Sequence, residues 1–315
     1  MTPDPRFRSF LDWTRERYGG PLHRVALDAG SQCPNRDGTK GWGGCVYCDV
    51  EGSGTGALRR GEELAGQLRA GLERIARRQK RGPAVAYFQS YSNTYVPRER
   101  LEEVLRVTEP YLGREVVAIS VATRPDTLGE DALDALERWN RRVPVWVELG
   151  LECANDALLT EIHRLHTVAE FEDAVLRSKR RDLVTVGHAI LGLPGDGRDG
   201  ARRTAELLAG TGVDGVKVHQ LMVLRRTVLE RWWKEGRVRV LSLEEYVAWL
   251  ADFVERLDPR QTLHRLHADA AKGELVAPEW TPHANDVRHA LDRELERRGT
   301  RQGSARAGAG GAVSP

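Results

Sequence analysis

Three cysteines stand close together in this 315-residue chain, at Cys33, Cys45 and Cys48. They span Cys33-Pro-Asn-Arg-Asp-Gly-Thr-Lys-Gly-Trp-Gly-Gly-Cys45-Val-Tyr-Cys48, a C-x11-C-x2-C spacing. Three thiolates on a glycine-rich loop can wrap a compact inorganic centre, because glycine turns sharply and presents backbone amides to it. Two centres suit the spacing. A closed zinc site wants four ligands, and only Cys153 or a histidine such as His23 could supply the fourth. A [4Fe-4S] cluster on three thiolates keeps one iron open to a substrate or cofactor, with nearby amides tuning its potential. The spacing alone does not separate the two. Cys153 itself reads as a free buried cysteine.

Such a loop needs a scaffold, and the chain alternates strand-like with helix-like runs. The runs His23–Ala29, Ala84–Ser90, Glu115–Ala122, Val143–Glu152, Leu183–Leu191 and Gly215–Leu221 are rich in Val, Ile and aromatics between turn-forming residues. Helical spacing marks Gly61–Gln79 through Leu64, Leu68, Leu72 and Ile75, and Leu128–Asn140 through Leu133, Leu136 and Trp139. Val168, Phe171 and Val175, then Ala201–Ala209, Leu243–Leu257 and Ala284–Arg298, continue the series. This order predicts an α/β fold: a partial (β/α)6 barrel of mostly parallel strands, with active residues at the C-terminal strand ends. The expected division is a helical lead-in over 1–22, the core barrel over 23–222, a C-terminal extension over 223–298 and a disordered Gly/Ala-rich tail over 299–315.

Composition narrows the class. Hydrophobic residues are 40% and charged residues 30%, a globular balance, and no apolar run approaches the roughly 18 residues of a membrane span. The first twenty residues carry charges where a signal peptide needs an apolar stretch, so a cytoplasmic location is expected. In that setting clustered cysteines point to metal or redox chemistry rather than disulfides. The net charge of +2 carries no nucleic-acid signal. Local patches do: Arg74, Arg77, Arg78, Lys80 and Arg81 end one helix, and Arg177, Lys179, Arg180 and Arg181 another. Both also read as cations placed at a helix C-terminus.

The cysteine segment resembles the cluster loop of the radical S-adenosylmethionine (SAM) superfamily. Within it, it resembles a bacterial group with CPNRDG followed by GGC and CxxC elements, related to the radical domain of the elongator catalytic subunit. Ala122-Thr-Arg-Pro-Asp126, Glu148-Leu-Gly-Leu-Glu152, Gly187-His-Ala-Ile-Leu-Gly-Leu-Pro-Gly195 and Gly212-Val-Asp-Gly-Val-Lys-Val-His219 resemble further motifs of that group, in order on successive strand ends. Glu152, His163 and Leu165 depart from it. Glu152 stands where a glutamine is expected, and His163-Arg-Leu-His166 stands where the pattern is N-R-G-H.

The resemblance implies a radical-SAM-type barrel with a [4Fe-4S] cluster on Cys33, Cys45 and Cys48 and S-adenosyl-L-methionine at the open iron. One electron from the cluster would cleave SAM to a 5′-deoxyadenosyl radical that abstracts hydrogen from a substrate. A low-potential donor such as flavodoxin or ferredoxin is implied, and tRNA is a candidate substrate. By position, Tyr47 would pack near adenine and carbonyls from Gln89 would meet the amino group. Arg124 would fork onto the carboxylate. Glu148 would accept from the ribose, and Gly192 would let backbone approach the adenosine. Arg164, His166, His219 and Arg265 are candidates for substrate contacts. The competing expectation is a zinc-stabilised barrel that binds RNA or protein without redox chemistry.

Overall fold

The computed structural model describes residues 5–49, 57–78, 82–281 and 284–306. The basic residues Lys80 and Arg81 and the end of the tail, 307–315, lie outside them. In chain order the elements are α1 (Phe10–Tyr18), β1 (His23–Leu27), α2 (Leu64–Arg77), β2 (Ala84–Phe88), α3 (Arg98–Arg106), β3 (Val116–Thr123), α4 (Glu130–Asn140), β4 (Val145–Glu152), α5 (Asp156–Glu161), α6 (Val168–Lys179), β5 (Val184–Leu191), α7 (Gly197–Thr211), β6 (Gly215–Gln220), β7 (Val223–Leu224), α8 (Val228–Lys234), α9 (Leu243–Arg256), β8 (Thr262–Arg265), β9 (Leu275–Ala277) and α10 (Ala284–Arg298). The main sheet has seven strands in the order β1-β2-β3-β4-β5-β6-β8, and β7 pairs with β9 apart from it. The pairs β1–β2, β2–β3, β3–β4 and β6–β8 are parallel.

The six expected strands are β1 to β6. The seventh, β8, comes from the segment expected as an extension beyond residue 222. It is four residues long, Thr-Leu-His-Arg, too short for alternation to announce it. The α/β class holds, with one strand more than the six expected.

The described residues form two compact units: 11–151 with 159–186, and 5–10 with 152–158 and everything from 187. In the first, β2 is buried along its whole length and β4 at every position but Glu152. Strands covered on both faces read as continuous apolar runs rather than alternating ones, which is why Val145-Trp-Val-Glu-Leu-Gly-Leu looked so apolar. Trp146 is 1% exposed and meets Trp13 of α1 edge-on, with centroids 5.7 Å apart. Helix α2 packs close on β1 at Gly71, where a Cβ would stand 2.3 Å from Val25 Cγ1. From the same helix, Gln67 accepts from the Asp28 backbone N–H at 2.8 Å and donates to the Asp28 carbonyl at 3.0 Å, fixing the chain where it leaves β1 for the cysteines. Thr167 and Glu170 close a capping box at the start of α6.

In the second unit Asp252 of α9 is the charge hub. Arg198 forks onto it with two bonds of 2.7 Å, and Arg298 and Arg202 each donate at 2.7 Å. Burial alone would raise this carboxyl, but the three guanidiniums hold it far below the usual range. The tail does not begin at Gly299 as expected. Gln302 is 5% exposed and donates to the carbonyls of Asp258 at 2.6 Å and Gln261 at 2.8 Å, while accepting from Arg8 N–H at 2.9 Å. Composition missed this because one amide reaching backbone groups distant in sequence leaves no periodic trace.

Gln302→Ala should lower the unfolding free energy by about 2–4 kcal/mol, since it strands two buried carbonyls and an N–H. A urea titration measures it, and an unchanged midpoint would refute the role given to this amide.

Candidate functional site

The cysteine loop follows β1 and is built around Asn35, which is fully buried. Its amide donates to the carbonyls of His163 at 2.7 Å and Arg164 at 3.0 Å, and lies 3.6 Å from Cys45 Sγ. Val46 N–H donates to the Ile162 carbonyl at 3.1 Å, and His163 Nδ1 lies 2.9 Å from the Gly44 carbonyl oxygen. The loop is thus clamped against the turn 162–165. His163 and Leu165 sit there at φ of +55° and +58°. The N-R-G-H pattern would place Asn and Gly at these left-handed positions, where they are at ease; His and Leu cost roughly 1–2 kcal/mol each. The departure from the pattern is therefore a matter of backbone strain. Arg164 and His166 are both buried, and Arg164 donates to the Gly150 carbonyl at 3.2 Å.

All three loop cysteines are free thiols; Cys45 is buried and the other two half-buried. Burial, reinforced by Cys45, pushes the Cys48 thiol up to about 12, and Arg36 opposes this. Among the described residues no trio of His, Cys, Asp or Glu side chains is gathered to hold a single metal ion. Hydrogen-bond donors do face the sulfurs: Asn35 at Cys45, and Arg36 Nη2 at 3.2 Å from Cys48 Sγ. The sequence reading missed both residues, although they stand in the quoted Cys-Pro-Asn-Arg-Asp-Gly run.

The strand ends beside this loop carry further polar groups. After β2, Asn93 donates to the carbonyls of Phe88 at 3.0 Å and Ala122 at 2.9 Å and accepts from Ser31 at 3.1 Å, so it ties the exits of three strands. Gln89 N–H donates to the Leu27 carbonyl at 3.1 Å. The hydroxyls of Ser92, Thr94, Thr123 and Thr127 interlock at the end of β3. Arg124 follows, 2% exposed, and forks onto Asp126 at 2.9 and 2.8 Å. Lys40 reaches the same carboxylate at 2.6 Å. Burial would raise Asp126, but Arg124 and Lys40 outweigh it and hold the carboxyl at about 2. His166 is driven the other way, down to about 2, by burial and then by Arg164 and Arg124, so it is neutral. Arg124 Nη1, Ser90 Oγ and both His166 ring nitrogens are buried without a partner among the described residues. Unmet buried groups are costly, and a polar ligand would satisfy them. Glu148, 1% exposed, accepts from Ser120 Oγ at 2.6 Å. Tyr47 is half-buried.

The remaining candidates lie in the other unit. His219 of β6 faces His188 of β5, with ring centroids 5.5 Å apart. Arg265 ends β8 in register with Lys217. Gly192 has φ of +92°, and a Cβ there would meet Leu241 at 3.3 Å, so the fold alone already demands glycine. Cys153 is fully buried, and burial followed by the Asp196 charge pushes its thiol far up.

Three reduced cysteines thus share one loop, with side-chain donors at the sulfurs of Cys45 and Cys48 and unmet polar groups at the strand ends. Residues 33–208 match the model of the radical SAM superfamily. The chain belongs to that superfamily. Residues 213–297 match the radical SAM C-terminal domain. YtqA of Bacillus subtilis (strain 168) is 35% identical over 304 residues, covering 95% of this chain and 92% of YtqA. The tRNA uridine(34) acetyltransferase of Dehalococcoides mccartyi is 26% identical over 54% of this chain and 37% of its own. In structure, the archaeal Methanocaldococcus infernus Elp3 superposes with a TM-score of 0.69 at 17% identity, over 89% of this chain and 64% of that one. That likeness establishes the partial-barrel fold. This radical SAM enzyme accordingly has a [4Fe-4S] cluster and S-adenosyl-L-methionine as its cofactors.

A prediction concerns Asp196, which opens α7 and is raised by burial to about 6. The unfolded carboxyl titrates near 4, so from about pH 4 to 6 the folded state binds more protons and stability falls as pH rises. Asp196→Asn should remove this fall, so the variant gains on the parent across that window, by about 1–2 kcal/mol at pH 7. Parallel urea titrations at pH 4.5 and 7 with an equal difference at both would contradict it.

Proposed function

We propose that Cys33, Cys45 and Cys48 hold the [4Fe-4S] cluster, and that the loops after β2, β3 and β4 hold S-adenosylmethionine for reductive cleavage. The reading rests chiefly on the hydrogen-bond donors trained on the thiols of a single three-cysteine loop. Bound cluster and SAM supply one-electron chemistry that opens a hydrogen abstraction. The protein supplies position and dryness. Arg124, fixed by Asp126, keeps Nη1 free for a carboxylate. Ser90 Oγ and the carbonyls near Gln89 offer partners for an amino group. Glu148 stands on β4 with its buried carboxylate to accept from ribose hydroxyls, and Tyr47 is the candidate toward the adenosine. Arg164, His166, His219 and Arg265 remain the candidates for the substrate side.

A low-potential protein donor, flavodoxin or ferredoxin, would supply the electron in the cytoplasm. No described helix is long and apolar enough to cross a membrane. We take tRNA as the leading substrate class, because relatives covering part of this chain include a tRNA uridine(34) acetyltransferase. The Arg177–Arg181 patch gives this little support: Arg177 pairs with Asp173 at 2.6 Å and Arg181 with Asp134 at 3.0 Å. The substrate test is a comparison of modified nucleosides in tRNA from deletion and parent strains, where identical profiles would remove tRNA.

Cys45→Ala should abolish iron binding after anaerobic reconstitution while the chain stays folded; full iron in this variant would overturn the ligand assignment. Cys153→Ala should keep the full iron complement, and iron loss there would favour a closed four-cysteine site. Arg124→Lys should weaken SAM binding by about one to two decades with iron unchanged, the value of one charge-assisted hydrogen bond. Equilibrium titration with SAM reads this, and equal affinity would take Arg124 out of the site.

A further inference from the structure

The Arg36 guanidinium occupies a seat made for it. Gly44, at φ of +84°, has no Cβ; one placed there would stand 2.9 Å from Arg36 Nε. The Tyr91 ring lies against the guanidinium at 5.6 Å, and Tyr91 itself adopts φ of +59°. Nη2 donates to the Asp49 carbonyl and to Cys48 Sγ, the latter at 3.2 Å. Among the described residues no carboxylate forms an ion pair with it. The groups beside it that can become anions are Cys48, Tyr91 and Cys33. A half-buried arginine is seldom left without an anion, and the anions this one is built to face are thiolates.

We infer that Arg36 is a positioning residue for the cluster, holding the Cys48 thiolate and setting the reduction potential through its fixed positive charge. This rests on the cluster assignment above. Each electron added to a thiolate-bound cluster adds one negative charge. A cation held beside the Cys48 thiolate favours the reduced form, and half-burial keeps solvent from screening it fully. The neutral donor Asn35, at Cys45, lacks that charge. Arg36 therefore makes the cluster easier to reduce by the donor than the same loop would be without it.

The experiment is potentiometric, on the full-length, anaerobically reconstituted protein without SAM, with the reduced cluster followed by electron paramagnetic resonance and iron counted in each sample. Arg36→Gln keeps an amide donor but loses the charge. Its reduced-to-oxidised ratio at a fixed potential should fall about tenfold, equal to a 59 mV negative shift for one electron. Arg36→Lys keeps the charge and should restore most of the parent midpoint. Arg36→Gln with full iron and an unmoved midpoint overturns the inference. So does loss of iron in both variants, which would make Arg36 a loop brace only. If Arg36→Gln alone loses iron, the charge is required and the Lys midpoint decides: near the parent's it supports the inference, tenfold displaced it refutes it. A parent protein that takes up no cluster would instead defeat the ligand assignment, and this inference with it.

Discussion

The site depends on one buried amide. Asn35 has no exposed surface, and its hydrogen bonds to the His163 and Arg164 carbonyls fasten a long glycine-rich loop to a turn more than a hundred residues away. A loop with several left-handed glycines has high conformational entropy when free. Without a fixed point it could not hold three sulfurs in a constant relation. The same amide approaches Cys45 Sγ, so one side chain meets both the distant turn and a thiol. The opposing turn carries His163 and Leu165 in strained conformations, and the contacts that override this strain are those of the clamp.

Around that fixed point the charges are arranged in opposition. Arg124 and Lys40 share Asp126, which holds the carboxylate ionised and the guanidinium in one orientation. His166, beside these cations, stays neutral and can both donate and accept. Among the described residues Arg36 has no carboxylate partner and donates to the Cys48 sulfur and the Asp49 carbonyl. Parallel strands buried on both faces make this order necessary. Polar groups cannot sit along β2 or β4 at low cost, so most collect where the strands end, and Glu148 within β4 is met by the Ser120 hydroxyl.

In the second unit the polar side chains do mainly structural work. Asp252 gathers three arginines from α7 and α10, and Gln302 closes the chain end onto the loops near Asp258 and Gln261. His219 on β6 and Arg265 at the end of β8 are the residues of this unit that the substrate proposal uses.

The α/β class was legible because buried strands and amphipathic helices leave periodic signatures. The cofactor class was legible because three cysteines and the motifs after them are local patterns. Sequence also marked Arg124, but not Asp126 as its partner, since pairing two residues apart depends on how the chain turns after β3. It did not reveal β8, whose four residues become a strand only by pairing with β6. It read 299–315 as a loose tail, because a few long-range hydrogen bonds hold 299–306 and no composition encodes them. Asn35 and Arg36 were visible as letters in the cysteine loop. That one would clamp a distant turn and the other face a thiolate was decided by the tertiary structure, which alone brings an amide to carbonyls 128 and 129 positions along the chain and removes the water that would otherwise compete for them.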